Sequence, residues 1–240
     1  EGVEEACADL AACAREHLLR RTDQTDLQRA HHLEGPCAVK ADALRRCLLD
    51  NVCEPVLDAC LAPKAQESVH GTAREILAQA GLELCGRLCL REYPHQPSVT
   101  GVRIGAHLDS TLMTLLWADG PGLEVLSPLK LPFGQTSHTA SAAGGEGLAG
   151  PWTGKQVMSI GFPGLDGICR EVREDEWAAV MLSGEACWGP GPLLLTIGSD
   201  WLSFPPTAVG LPVESAVLHR VAVPVDYARD RLSLPFLVTL

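Results

Sequence analysis

The chain has 240 residues and a formal net charge of −11, from 19 Lys and Arg against 30 Asp and Glu; 46% of it is hydrophobic and 20% charged. That is enough apolar material for a core, which excludes wholesale disorder, and the length suits one large domain or one domain with an appended helical segment. The acidic balance, without any Lys/Arg-rich block, argues against a nucleic-acid or anionic-membrane binder and leaves a small-molecule or protein substrate.

No stretch of eighteen apolar residues without charges is present. Glu1, Glu4, Glu5, Asp9 and Glu16 occupy the first twenty positions, where a signal peptide needs a basic start and an apolar middle. A soluble, intracellular protein, cytoplasmic by default, is expected. Because it begins at Glu1 without Met, it also reads as a trimmed chain or fragment.

The first half is helical in character. Glu4 to Arg20, Ala41 to Leu61 and Ala65 to Leu88 are rich in Ala, Leu, Glu and Arg, with apolar residues at three-to-four spacing. Eight of the ten cysteines lie in the first 89 residues, and no CxxC pair occurs. Reduced thiols packed as small apolar side chains are the simpler expectation, although the even number keeps disulfides open. Structural zinc lacks ligand pairs at the usual spacing, except for Cys85 and Cys89.

Near residue 90 the pattern changes to short apolar runs separated by Gly and Pro. Leu88 to Tyr93, Val102 to His107, Leu112 to Trp117, Leu123 to Leu126, Val157 to Phe162, Trp177 to Leu182, Leu193 to Ile197, Ala216 to Val223 and Leu232 to Val238 each have strand length. Helices followed by strands, without alternation, predict a mostly β fold with an α-helical N-terminal part, an antiparallel sandwich or barrel such as a jelly roll. The expected division is a helical region over 1–86 packing on a β domain over 87–240. Within the latter, Lys130 to Gly154 is rich in Gly, Ser, Thr and Ala and reads as a flexible insertion.

Three groups in the strand-rich half carry chemistry. In His107-Leu108-Asp109 an imidazole and a carboxylate two apart on extended chain share a face and can reach one ion. His219 sits in a second apolar run, and Arg231 and Ser233 share a face at the start of the last. Two histidines and a carboxylate on one face of an octahedral ion leave three positions open, the arrangement of non-haem Fe(II) oxygenases. An arginine with a nearby hydroxyl suits a distal carboxylate, which together suggests a 2-oxo acid co-substrate. Chance alone supplies roughly 0.4 HxD tripeptides in such a chain, so the weight rests on order and spacing rather than on any one motif.

From about Leu88 to the C-terminus, the chain resembles the isopenicillin N synthase-like branch of the Fe(II)/2-oxoglutarate-dependent dioxygenases. The resemblance is carried in order by Tyr93-Pro94; His107-Leu108-Asp109 before Leu112 to Leu116; Gly122-Leu123-Glu124-Val125; Trp177; Ile197-Gly198 with Asp200; Ser215 with His219-Arg220-Val221; and Arg231-Leu232-Ser233. It implies a double-stranded β-helix with helices packed outside, and iron held by His107, Asp109 and His219. It further implies that Arg231, Ser233 and Tyr93 hold the distal carboxylate of 2-oxoglutarate. The implied activity is oxidation of an unidentified substrate, hydroxylation first among the outcomes, coupled to conversion of 2-oxoglutarate and O2 to succinate and CO2, with ascorbate a candidate reductant.

Departures from the pattern are specific. Ser199 is an extra residue in the family's Gly-Asp turn, and the His219 to Arg231 interval is slightly long, which leaves Arg229 as an alternative clamp. Arg91 stands where many members carry an Asn that contacts the co-substrate. Two other readings remain: the same iron site oxidising its substrate without 2-oxoglutarate, or a non-catalytic jelly-roll binding module. His32-Leu33-Glu34, His17 and His70 read as surface, Trp117, Trp188 and Trp201 as packing, and Leu234 and Phe236 as either core or pocket wall. Cys169 and Cys187 lack the signals of a nucleophile. Arg91, Arg103 and Arg220 suggest a local positive patch.

Overall fold

The computed structural model describes residues 2–18, 29–65, 72–79, 81–95, 101–126, 158–161, 169–172, 177–180, 193–200, 217–223 and 229–240. The expected flexible insertion at 130–154, and Ser215, His70, Trp188, Trp201 and Cys187, lie outside these residues.

The N-terminal part contributes α1 (Val3–His17), the short strand β1 (Arg29–His31), α2 (Gly35–Leu48), a π-helical turn (Leu49–Cys53), α3 (Glu54–Ala65) and α4 (Ala73–Gln79). Cys7, Leu10, Ala11 and Ala14 on α1 recur at helical spacing and are buried, as are Cys37, Ala41, Leu44 and Leu48 on α2. Pro36 opens α2, where a missing N–H costs nothing. The two helices pack together, and the thiols of Cys13 and Cys37 meet at 3.0 Å between them. Cys7, Cys13, Cys37, Cys47, Cys53, Cys60, Cys85 and Cys89 are free thiols.

Eleven further strands follow: β2 (Cys85–Leu88), β3 (Leu90–Tyr93), β4 (Val102–His107), β5 (Met113–Ala118), β6 (Leu123–Leu126), β7 (Met158–Gly161), β8 (Cys169–Val172), β9 (Trp177–Ala179), β10 (Leu194–Ile197), β11 (His219–Ala222) and β12 (Arg231–Thr239). One sheet runs β1-β3-β12-β5-β10, with β2 also on β12; the other runs β4-β11-β6-β9; β7 and β8 form a separate hairpin. Setting β1, β2 and the hairpin aside leaves eight strands. In their own sequence order, the two sheets then read 1-8-3-6 and 2-7-4-5. Every pairing is antiparallel. This interleaving defines a jelly roll.

The fold is a double-stranded β-helix.

Its pivotal strand is β12, which lies between β3 and β5 and alternates strictly. Leu232, Leu234, Phe236 and Val238 are buried in the same core as α1 and α2, while Arg231, Ser233, Pro235 and Leu237 line a cavity between the sheets. Leu234 and Phe236 are therefore core residues and not pocket wall. Pro235, which cannot donate to a ladder, sits where β2 gives way to β3, and its carbonyl accepts from Cys89 N at 2.9 Å.

Helical character was expected to continue from Ala65 to Leu88, yet Cys85–Leu88 is a strand on β12. The cause is tertiary: a Cβ at Gly86 would fall 2.3 Å from the Phe236 ring, so the aromatic packs onto bare glycine backbone. Strand β1 carries no apolar alternation and forms by pairing with β3.

Replacing Phe236 with Ala removes the ring at the centre of this core and should cost about 3–5 kcal/mol of unfolding free energy in denaturant titration. Burial raises the thiols of Cys7 and Cys53 to about 12. At pH 8 in the native state, iodoacetamide should accordingly modify the exposed Cys85 and spare both until the chain unfolds, which peptide mapping would show.

Candidate active site

Strand β4 ends at His107 and β11 begins at His219, and the antiparallel register sets them directly opposite each other. Asp109 follows two residues after His107. One ligand atom from each of the three lies within 4.8 Å of the others. The separations are 3.6 Å from His107 Nε2 to Asp109 Oδ1 and 3.8 Å from His219 Nε2 to Asp109 Oδ2. These are too long for hydrogen bonds, but two metal–ligand bonds of about 2.1 Å span up to ~4.2 Å, so they suit atoms sharing one ion.

Both imidazoles are prepared for that role. His107 Nδ1 donates to the Gly105 carbonyl at 2.9 Å, and His219 Nδ1 donates to the Val217 carbonyl at 3.0 Å. Each bond fixes the tautomer in which Nε2 keeps its lone pair. Burial pushes the His219 pKa below its ordinary value; the Val217 carbonyl and Asp109 oppose the shift, and His107 adds to it. Neutral imidazole is the ligating form. Two imidazole nitrogens and a carboxylate oxygen, with open space beside them, fit Fe(II).

Asp109 is held from behind by the turn after β10. Ser199 donates to the Asp109 carbonyl twice, from N at 2.8 Å and Oγ at 3.2 Å, while Gly198 N reaches Leu112 O at 3.1 Å and Asp200 N reaches Thr111 O at 3.1 Å. A Cβ on Gly198 would fall 2.1 Å from the Thr111 carbonyl, so only glycine allows this approach. The extra Ser199 thus serves as a clasp on the segment that carries Asp109, a contact that its sequence position does not reveal.

Arg231, Ser233 and Tyr93 meet further along the same cavity. The β3–β12 register pairs Tyr93 with Arg231 and Arg91 with Ser233. Arg231 is only 4% exposed; its Nε donates to Gly120 O at 3.0 Å and its guanidinium carbon lies 4.8 Å from the Tyr93 ring centroid. Leu232 N donates to Asp119 Oδ1 at 2.7 Å, and His95 N to Asp230 Oδ1 at 2.6 Å, which tie both ends of this corner. Arg15 of α1 binds the Asp119 carboxylate and the Asp230 carbonyl, so the helical layer braces the corner from outside.

Arg103 is half-buried and donates to the Pro94 carbonyl at 2.6 Å. Burial lowers its pKa and the neighbouring Arg231 adds to that, against Asp230 and Tyr93. Arg103 and Arg231 thus stand close together at this corner, with Asp230 beside them.

The cavity, of about 170 Å³, is lined by all six predicted site residues, His107, Asp109, His219, Arg231, Ser233 and Tyr93. Arg229 is exposed and is not among the lining residues, so the geometry favours Arg231 over it. The expected positive patch is divided. Arg91 lines the cavity, whereas Arg220 points to the other face of its sheet, buried against Glu124 at 2.6 Å and the Trp177 ring at 4.4 Å. Thr114 and Thr196 also line the cavity and carried no motif. His17 and His32 are exposed, as expected. His31, which attracted no notice, is paired with buried Glu92.

No protein-family profile matches this sequence, and no curated protein matches it. Among solved structures, it is similar to a full-length Neurospora crassa protein in complex with alpha-KG, at 15% identity and TM-score 0.43 over 99% of this chain and 68% of that one. It is similar to dioxygenase for auxin oxidation 1 from Arabidopsis thaliana in its 2-oxoglutarate complex, at 12% identity and TM-score 0.44 over 98% and 78%. It is also similar to the rice dioxygenase for auxin oxidation, at 15% identity and TM-score 0.40 over 98% and 66%.

Gly198→Val forces a side chain into Thr111 and should weaken metal affinity about 10–100-fold in a Co(II) titration, whereas Ser199→Ala keeps the N–H bond to Asp109 and should cost less. Because the folded state disfavours protonated His219, metal-free protein should lose stability as pH falls below about 6.5, the unfolded-state value, until the lowered folded value is passed. Thermal melts of His219→Gln should show a flatter dependence over that window.

Proposed function

We propose that the chain is a non-haem Fe(II)- and 2-oxoglutarate-dependent oxygenase, with residues 87–240 as the catalytic jelly-roll unit and 1–86 packed on it. The observation that carries this reading is the sharing of one cavity by a metal-ligand triad and a buried arginine–hydroxyl corner. Bound Fe(II) would supply the activation of O2 that couples decarboxylation of 2-oxoglutarate, to succinate and CO2, with oxidation of a second, small-molecule or protein substrate.

The chain's own residues divide the remaining work. His107, Asp109 and His219 hold the metal on one face and leave its other positions to ligands that are not protein. Arg231 and Ser233 receive the distal carboxylate, the guanidinium fork matching its two oxygens, and the Tyr93 ring packs beside that guanidinium. The apolar wall formed by Ile104, Leu116, Leu123 and Val221 excludes water from the reacting end. A direct oxidation that needs no 2-oxo acid would leave the Arg231 corner without a task, and a binding module would not need two histidines held in the ligating tautomer. The free thiols from Cys7 to Cys89 suit a reducing, intracellular compartment.

Anaerobic addition of Fe(II) and then 2-oxoglutarate is expected to produce the weak visible charge-transfer band of the chelate. Arg231→Ala should weaken 2-oxoglutarate binding by at least about 2 kcal/mol, roughly 30-fold. Under air, 2-oxoglutarate loss should be matched by succinate, and His219→Ala should abolish both. Iron binding without a band would overturn the co-substrate assignment.

A further inference from the structure

The helical layer holds a contact that the oxygenase reading does not use. Cys13 Sγ of α1 and Cys37 Sγ of α2 lie 3.0 Å from each other, 24 residues apart in sequence. One turn further along, Asp9 of α1 binds Lys40 of α2. Together the two contacts set the helices antiparallel and in register, while Leu10, Ala14, Ala41 and Leu44 are buried in the core that both helices share. The sulfurs therefore meet because the packing of two helices brings them together, and not through a local turn of chain.

A disulfide bond is about 2.0 Å long, so closing this pair brings the sulfurs together by about 1 Å. Cys13 is 8% exposed and Cys37 is fully buried, so a small oxidant meets Cys13 first and a bulky one meets neither. Burial, helped by the Cys13 contact, raises the Cys37 thiol to about 11, against the pull of the Lys40 ammonium. Cys37 thus keeps its proton until its own sulfur reacts.

We propose that Cys13 and Cys37 are a modification site, at which a small hydroperoxide closes a disulfide that staples α1 to α2. With hydrogen peroxide the Cys13 thiolate attacks one oxygen, the O–O bond breaks, and a sulfenic acid and one water result, the water taking up the thiol's proton. The Cys37 sulfur then attacks the Cys13 sulfur. The S–S bond forms, the S–O bond breaks, and the leaving hydroxide takes the Cys37 proton as a second water. Two thiols lose two electrons and one peroxide gains them. In a reducing compartment the pair rests as thiols, and the bond forms only on exposure to oxidant. The staple acts on the helix that carries Arg15 to Asp119 and Asp230, and its chemistry does not depend on the oxygenase reading.

The test uses the full chain, reduced and freed of metal with a chelator so that peroxide does not react at iron. Hydrogen peroxide is added to the native protein, the remaining thiols are capped in denaturant, and the peptides are mapped without reduction. A Cys13–Cys37 cross-linked peptide is expected, reversed by dithiothreitol. The oxidised protein should melt about 5 °C or more above the reduced one, because the bond closes a loop in the unfolded chain. Cys37→Ala should lose both the cross-link and the rise, leaving a Cys13 sulfenic acid that dimedone traps. Cys85→Ala, which removes an exposed thiol outside the pair, should keep both.

Three results would overturn the proposal. The first is no Cys13–Cys37 cross-link, or one that forms only after denaturant is added. The second is a cross-linked protein that melts no higher than the reduced one. The third is an undiminished rise on oxidation of Cys37→Ala, which would assign the effect to other thiols.

Discussion

The pairing of β11 with β4 is the contact on which the site depends. It sets His219 opposite His107, so two residues 112 positions apart become neighbours through backbone hydrogen bonds rather than through any attraction between the imidazoles, whose rings are only 4.3 Å apart. A slip of one residue would turn His219 to the other face of the sheet, where Arg220 now lies. What resists the slip is that the outer face has its own requirements. Arg220 is buried there with Glu124 and Trp177, and a guanidinium turned into the cavity would leave that carboxylate behind and set a positive charge beside His107 and His219.

The same logic governs β12. One face of the strand belongs to the hydrophobic core shared with α1 and α2, and the other to the cavity. Burial of Leu232, Leu234, Phe236 and Val238 supplies the stability, and it thereby aims Arg231 and Ser233 without further cost. The helical layer does more than cover the sheet: α1 brings Arg15 to Asp119 and Asp230 at the corner where Arg231 begins its strand. An exposed ion pair of this kind adds little to stability, yet it constrains the chain on either side of the arginine.

Precision in the site comes from bonds to backbone. Carbonyls of Gly105 and Val217 orient the histidines, and Ser199 clasps the carbonyl of Asp109. These partners are main-chain atoms, so substitutions at positions 105, 217 or 109 cannot remove them directly, and the arrangement depends on strand register more than on the identity of surrounding side chains. Gly198 is the exception, since its missing Cβ is what permits the turn to approach Thr111.

Five of the six candidate site residues were legible in the sequence because each sits in a short local pattern, an i, i+2 pair or a histidine within an apolar run, and strand periodicity converts such patterns into shared faces; Tyr93 came only with the family resemblance. For the same reason the strands at Val102–His107 and Leu123–Leu126 were read with their observed limits. Local pattern could not place Cys85–Leu88, which has the composition of a helix and becomes a strand only because β12 offers a partner and Phe236 needs the bare face of Gly86. Nor could it assign β1, the clasp of Ser199, the division of Arg91 from Glu92, or the outward burial of Arg220. The sequence by itself determined which side chains are available and which share a face; the tertiary structure decided which faces meet, because that choice is made by hydrogen-bond register and core packing between segments far apart in the chain.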